Sequence, residues 1–170
     1  QNFSNTYDTV QNLKKKYDAA LIESRIIGLA VATRPDCISE EVVGLLKSYC
    51  DSYYIYVELG LQTANDETGI RINRGYDSAE FSKAVNLLRA NGIDVVAHMM
   101  VGLPGESMED IHQTVDFLNA EDIQGLKIHS TYVIQGTELA KLYEAGEYVP
   151  LTLEEYIDAV CDIIGHIQKE

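Results

Sequence analysis

Cysteine is scarce in this sequence, and Cys37, Cys50 and Cys161 are spaced in a way that fits no zinc or iron–sulfur pattern. An odd number of thiols, with no sign of secretion, points to a reducing compartment. Three isolated thiols in a cytoplasmic protein are therefore expected. Basic residues are also few: 13 Lys and Arg stand against 27 Asp and Glu, a net charge of −14. Lys14-Lys15-Lys16 reads as a short solvated helix face. It is not the basic stripe that displaces phosphate counterions, so nucleic acid is not an expected partner of this segment. No run of about eighteen apolar residues occurs, so no membrane-spanning helix is expected. The opening Gln1-Asn2-Phe3-Ser4 has neither the basic region and apolar stretch of a signal peptide nor an initiator Met. It reads as the interior of a longer chain. Linkers, short repeats and low-complexity segments are missing too.

What is present is an ordinary apolar content of 46%, enough for one domain with a real core. Strand-like runs alternate with amphipathic helices. Val10, Leu13, Tyr17 and Leu21 recur at helical spacing, and a strand follows over Ile26 to Thr33. Ser39 reads as an N-cap, with Glu40 and Glu41 in the first turn where the helix dipole favours them. A second strand runs from Tyr54 to Leu61. Asp77-x-x-Glu80 has the form of a capping box, and Gly92 suits the stop of the helix it opens. Val95 to Val101 is the third strand. Ser107-x-x-Asp110 caps another helix, and Leu126 to Tyr132 is the fourth strand. Thr137 starts a helix that Gly146 ends, and Thr152-x-x-Glu155 caps the last one.

Four strands alternating with helices predict a parallel sheet built by crossovers. Strands covered on both faces should be almost wholly apolar, yet Glu58, His98, Lys127 and His129 interrupt these. In a (β/α) barrel, polar residues near the carboxyl ends of the strands line the mouth where ligands sit. Four strands cannot close a barrel. The expected fold class is therefore α/β: a partial (β/α) TIM-type barrel, with residues 1–170 forming the later portion of a larger core.

The most informative stretch is Glu58-Leu59-Gly60-Leu61-Gln62, followed by Ile72-Asn73-Arg74-Gly75. It pairs with His98-Met99-Met100-Val101-Gly102-Leu103-Pro104-Gly105. In this order and spacing the motifs resemble the radical S-adenosylmethionine (radical SAM) superfamily, in the branch with oxygen-independent coproporphyrinogen oxidase and the elongator-type enzymes. Ala32-Thr33-Arg34-Pro35-Asp36-Cys37 and the opening residues look like the YhcC-like members. The resemblance covers essentially the whole chain.

It implies about four strands of a six-stranded core and two cofactors, S-adenosyl-L-methionine and a 4Fe–4S cluster. In that superfamily the cluster reduces the sulfonium, and a 5′-deoxyadenosyl radical takes a hydrogen atom from the substrate. An electron-donor protein is an implied partner; the substrate is not readable. By the same resemblance Gln62 would bond the ribose hydroxyls, since an amide both donates and accepts. Arg74 would grip the methionyl carboxylate with its planar fork. His98 stands where the coproporphyrinogen enzymes carry an acidic residue near the ribose. Gly60 would let backbone approach the nucleoside. Ser4 and Asn5 lie where the cofactor's amino group would be held, Thr33 lies just past a strand end at the mouth, and Lys127 and His129 would face substrate.

Glu58, a strand carboxylate, needs a cationic partner such as Arg34 or Lys127. The superfamily's CxxxCxxC cluster motif does not occur in this chain, so these residues alone are expected to be inactive. Two other readings stay open: a cluster-less half-barrel that holds a nucleotide-like ligand or serves as a scaffold, and a non-radical barrel lyase or hydrolase using Glu58, Lys127 or His129.

Overall fold

The computed structural model describes residues 5–168. In chain order the elements are α1 (Val10–Ala20), β1 (Gly28–Thr33), α2 (Glu40–Lys47), β2 (Tyr54–Gln62), α3 (Asp66–Arg71), α4 (Ser78–Ala90), β3 (Asp94–Val101), α5 (Met108–Ala120), β4 (Gly125–Ser130), α6 (Glu138–Glu144) and α7 (Leu153–His166). A 3-10 turn, Pro35–Cys37, follows β1.

Local side-chain chemistry sets many of these boundaries. Ser39 and Thr137 each accept a backbone N–H of the first helical turn, which would otherwise lack a partner. Ser107 with Asp110 and Thr152 with Glu155 form reciprocal capping boxes. At α4 only half of the expected box forms: Asp77 accepts from the Glu80 amide. Gly92 and Gly146 both adopt positive φ where their helices stop.

The four strands form one parallel sheet in the order β1-β2-β3-β4. Along β2 and β3, buried and half-buried residues alternate. Ile55, Val57, Leu59 and Leu61 of β2 join Val95, Ala97, Met99 and Val101 of β3 in the core. Phe81, Val85 and Leu88 of α4 and Ile111, Val115 and Leu118 of α5 complete it. The helices thus cover one sheet face. The intervening residues, Tyr56, Glu58, Gly60 and Gln62 on β2 and Val96, His98 and Met100 on β3, lie on the other, open face. Parallel pairing continues that face through Lys127 and His129 of β4, which stand beside His98 and Met100. No helix among the described residues is long and apolar enough to cross a membrane.

Candidate functional site

β2 ends irregularly. Gly60 pairs with His98 but Gln62 pairs with Met99, so an extra residue is accommodated between them. Gln62 takes φ = 70°, a left-handed conformation that a non-glycine residue adopts at a cost. Its amide folds back over Gly60: a Cβ there would sit 2.8 Å from Gln62 Nε2 and 3.2 Å from the Tyr76 hydroxyl. Glycine is required at that position for the amide to lie across the strand. The Tyr76 hydroxyl donates to the Gly60 carbonyl at 3.0 Å, and the guanidinium groups of Arg34 and Arg74 both lie over the Tyr76 ring.

Deeper on the open face, four titratable side chains from three strands meet. Glu58, with only 12% of its side chain exposed, accepts from Lys127 Nζ at 2.5 Å and lies 3.1 Å from His98 Nε2. His98 Nδ1 lies 3.2 Å from His129 Nε2. Burial pushes the Glu58 carboxyl up, but the Lys127 ammonium and the His98 ring together hold it below its ordinary value. Burial, followed by the neighbouring His129, lowers His98, so its neutral form is favoured. The cation that compensates Glu58 is therefore Lys127; Arg34 pairs instead with Asp36.

Beneath the strand end a polar network fixes the turn after Gln62. Thr63 Oγ1 donates to Glu106 at 2.5 Å and accepts from the Asn65 amide. Thr114 Oγ1 accepts from the Ala64 amide, and Asn65 caps α3 while donating to Asp110. Glu106, in the turn after β3, is pushed above the ordinary carboxylate range by burial.

Arg74 belongs to this buried network. Only 2% of its side chain is exposed. It donates to the carbonyls of Leu61 (3.0 Å), Thr63 (2.5 Å) and Tyr76 (2.7 Å), and to Asp66 (2.6 Å). Its guanidinium lies against Gly69, where a Cβ would approach to 2.8 Å. The structure therefore gives Arg74 partners other than the expected methionyl carboxylate, which could reach it only by displacing these acceptors. The reason is the irregular end of β2, whose carbonyls turn inward and need a donor.

Thr33 also departs from its expected role. It stands in register with Leu59, on the helix-packed face, and its hydroxyl bonds that of the buried Thr6. Asn5 docks on the end of β1 by donating to the Ala32 carbonyl at 2.7 Å. Ser4 lies outside the described residues.

Gln62, Gly60, Glu58, His98, Lys127 and His129 thus share one open face at and behind the carboxyl ends of the strands. Tyr76, Glu106 and Thr63 did not emerge as site residues from the sequence. The only hint was the position of Tyr76 directly after Asn-Arg-Gly.

A parallel α/β sheet with helices on one face and polar groups gathered toward its strand ends is the architecture of part of a (β/α) barrel. The comparisons name the family. The Radical SAM superfamily model matches residues 4–118, and that of the Radical_SAM C-terminal domain matches residues 123–170. The chain belongs to the radical SAM superfamily. Protein YhcC of Escherichia coli (strain K12) is 39% identical over 171 residues, covering 100% of this chain and 55% of the relative. YtqA of Bacillus subtilis (strain 168) is 37% identical over 170 residues, covering 100% of this chain and 53% of the relative. The chain therefore spans about half the length of these relatives.

Among solved structures, Elp3 of Methanocaldococcus infernus with an N-terminal deletion superposes with a TM-score of 0.81 at 25% identity, covering 96% of this chain and 43% of that one. Coproporphyrinogen III oxidase (HemN) from Escherichia coli, a radical SAM enzyme, gives 0.72 at 15% identity over 94% and 37%. The second likeness shows the fold alone.

Proposed function

We propose that this chain is the nucleoside-holding part of a radical SAM enzyme, whose S-adenosyl-L-methionine lies across the carboxyl ends of β2 and β3. The observation that carries this reading is Gln62, whose left-handed backbone ends β2 and whose side-chain amide spreads over Gly60 beside His98 on the uncovered sheet face. Backbone conformations of this kind cluster at ligand sites, where the surrounding structure holds them.

The residues fit the group. An amide that donates and accepts suits a ribose diol. Gly60 leaves room for a sugar or base to approach the backbone. Arg34, half exposed over the Tyr76 ring and held bidentately by Asp36, is a rim cation that a ligand carboxylate would share with Asp36. When bound, S-adenosyl-L-methionine and a 4Fe–4S cluster supply one-electron cleavage and hydrogen-atom abstraction. No three-cysteine motif of the kind that holds such a cluster occurs within these 170 residues.

The chain's own residues orient the nucleoside and shape the floor beneath it. Lys127 neutralises the Glu58 carboxylate. His98 and His129 present imidazole edges on the substrate side. The acidic surface makes nucleic acid a poor partner for this part of the protein.

The test is calorimetric titration of S-adenosyl-L-methionine into the full-length protein, anaerobic and with its cluster rebuilt. Losing one neutral hydrogen-bonding group costs about 0.5–1.5 kcal/mol, so Gln62→Ala should weaken binding about two- to tenfold. Unchanged affinity in both Gln62→Ala and His98→Ala would remove the site from this face. Formation of 5′-deoxyadenosine separates an enzyme from a cluster-less binding module.

A further inference from the structure

A second cluster of ligating side chains lies on the helical layer, across the sheet from the Glu58 group. Asp162 and His166 stand one turn apart on α7, and His112 reaches them from α5. One ligand atom from each lies within 4.8 Å of the others. His112 Nε2 is hydrogen-bonded to Asp162 Oδ2, His166 Nδ1 is 3.6 Å from the same oxygen, and the two imidazole rings are 4.6 Å apart.

The scaffold under these groups is fixed. α5 and α7 run in the same direction, joined through Ile111, Val115 and Leu118 on one side and Ala159 and Ile163 on the other. Two turns beyond His112, Asn119 donates to the His166 carbonyl at 3.0 Å and accepts from the Gln168 amide at 2.8 Å. That clasp sets the height of one helix against the other, so His112 meets Asp162 and His166 by construction.

We propose that His112, Asp162 and His166 form a binding site for a late first-row divalent cation, Zn²⁺ foremost, that cross-links α5 to α7. Two imidazoles and a carboxylate are a donor set for Zn²⁺, Ni²⁺ or Cu²⁺, and not for Mg²⁺ or Ca²⁺, which require oxygen. Bonds of about 2.0–2.1 Å place tetrahedral donors roughly 3.3 Å apart. The three groups are already gathered on that scale, and His166, whose Nδ1 donates to the Asp162 carbonyl at 2.8 Å, would release that bond or present Nε2 to ligate. The cation would stand between His112 and Asp162, in place of their hydrogen bond. Side-chain exposures of 34%, 37% and 52% for His112, Asp162 and His166 leave the fourth position open to a water molecule.

The test titrates ZnCl₂ into the full 170-residue chain by calorimetry, with imidazole resonances followed by NMR and the thermal midpoint recorded with and without metal. One Zn²⁺ should bind, shift the His112 and His166 signals together and raise the midpoint. MgCl₂ should do none of these. His112→Ala and His166→Ala should each weaken Zn²⁺ at least about tenfold, the smaller loss known even for outer-shell partners, and abolish the thermal gain. His166 is half exposed in the last turn of α7, so His166→Ala should keep the wild-type circular dichroism spectrum. Zn²⁺ that binds equally well to His166→Ala, as it would if held by thiols, overturns the proposal. So does a wild type whose two imidazoles do not respond.

Discussion

Arg74→Ala discriminates sharply between a buried keystone and a ligand clamp. Truncation removes four hydrogen bonds and leaves the carbonyls of Leu61, Thr63 and Tyr76 without their donor. Each buried acceptor left unpaired costs about 1–3 kcal/mol. Asp66, half exposed, can turn to water and softens the loss. These costs overlap because one group serves all the acceptors, so the sum is bounded by what breaking a buried ion pair costs, about 3–5 kcal/mol. For a chain of this size each kcal/mol moves the thermal midpoint about 2–4 °C, so a fall of roughly 6–20 °C is expected. Arg74→Lys keeps the charge but has no planar fork, and should recover only part of that loss. The assay is urea unfolding followed by circular dichroism, with the thermal midpoint as a second reading. An arginine waiting at the surface for a ligand carboxylate would cost less than about 1 kcal/mol when truncated. If Arg74→Ala unfolds within about 1 kcal/mol of wild type, Arg74 is not the donor that holds the end of β2 together.

Gln62→Gly removes the left-handed strain, worth about 1–3 kcal/mol, against a glycine cost of about 0.5–1 kcal/mol. It should raise stability by roughly 1 kcal/mol in denaturant melts while weakening the proposed nucleoside binding; a loss of stability contradicts the strain. Lys127→Met removes the ammonium that holds Glu58 low. Because Lys127 is half exposed, the loss at neutral pH should be only about 1 kcal/mol. A lowered carboxyl contributes stability above its unfolded value of 4.5, lost as pH falls through the folded value, so the two proteins should converge in acid. Equal stability at every pH rules out this role for Lys127. Glu106 has the opposite sign: its raised carboxyl favours the fold at low pH and opposes it as pH rises through the folded value. Glu106→Gln should flatten that decline in a pH series of thermal melts, and an unaltered profile refutes the assignment.

The helices and strands were legible because their signals are local. Ser39, Ser107 and Thr152 announce helix starts within four residues of sequence, and period-two alternation put Glu58, Gly60 and Gln62 on one face. What spacing alone could not show depended on partners far along the chain. The burial of Arg74 follows from an irregular strand end that exposes carbonyls inward, and no residue spacing encodes that bend. Thr33 was assigned to the mouth because it ends a strand, whereas the register with Leu59 turns it toward the helices. The choice of Lys127 over Arg34 as the partner of Glu58 needed the strand order. His112 and Asp162 meet only because α5 and α7 lie side by side, which neither helix's own pattern reveals.

The line of contacts from His129 through His98 to Glu58 carries a directional consequence. A carboxylate can only accept, so His98 must point its Nε2 proton at Glu58. In the neutral form that burial favours, it then turns a bare Nδ1 toward His129, which supplies the hydrogen through its own Nε2. Glu58, on the strand next to His98 and two strands from His129, thereby sets the orientation of both rings. Three of their four nitrogens are engaged along this line, and His129 Nδ1 is the one that stands outside it.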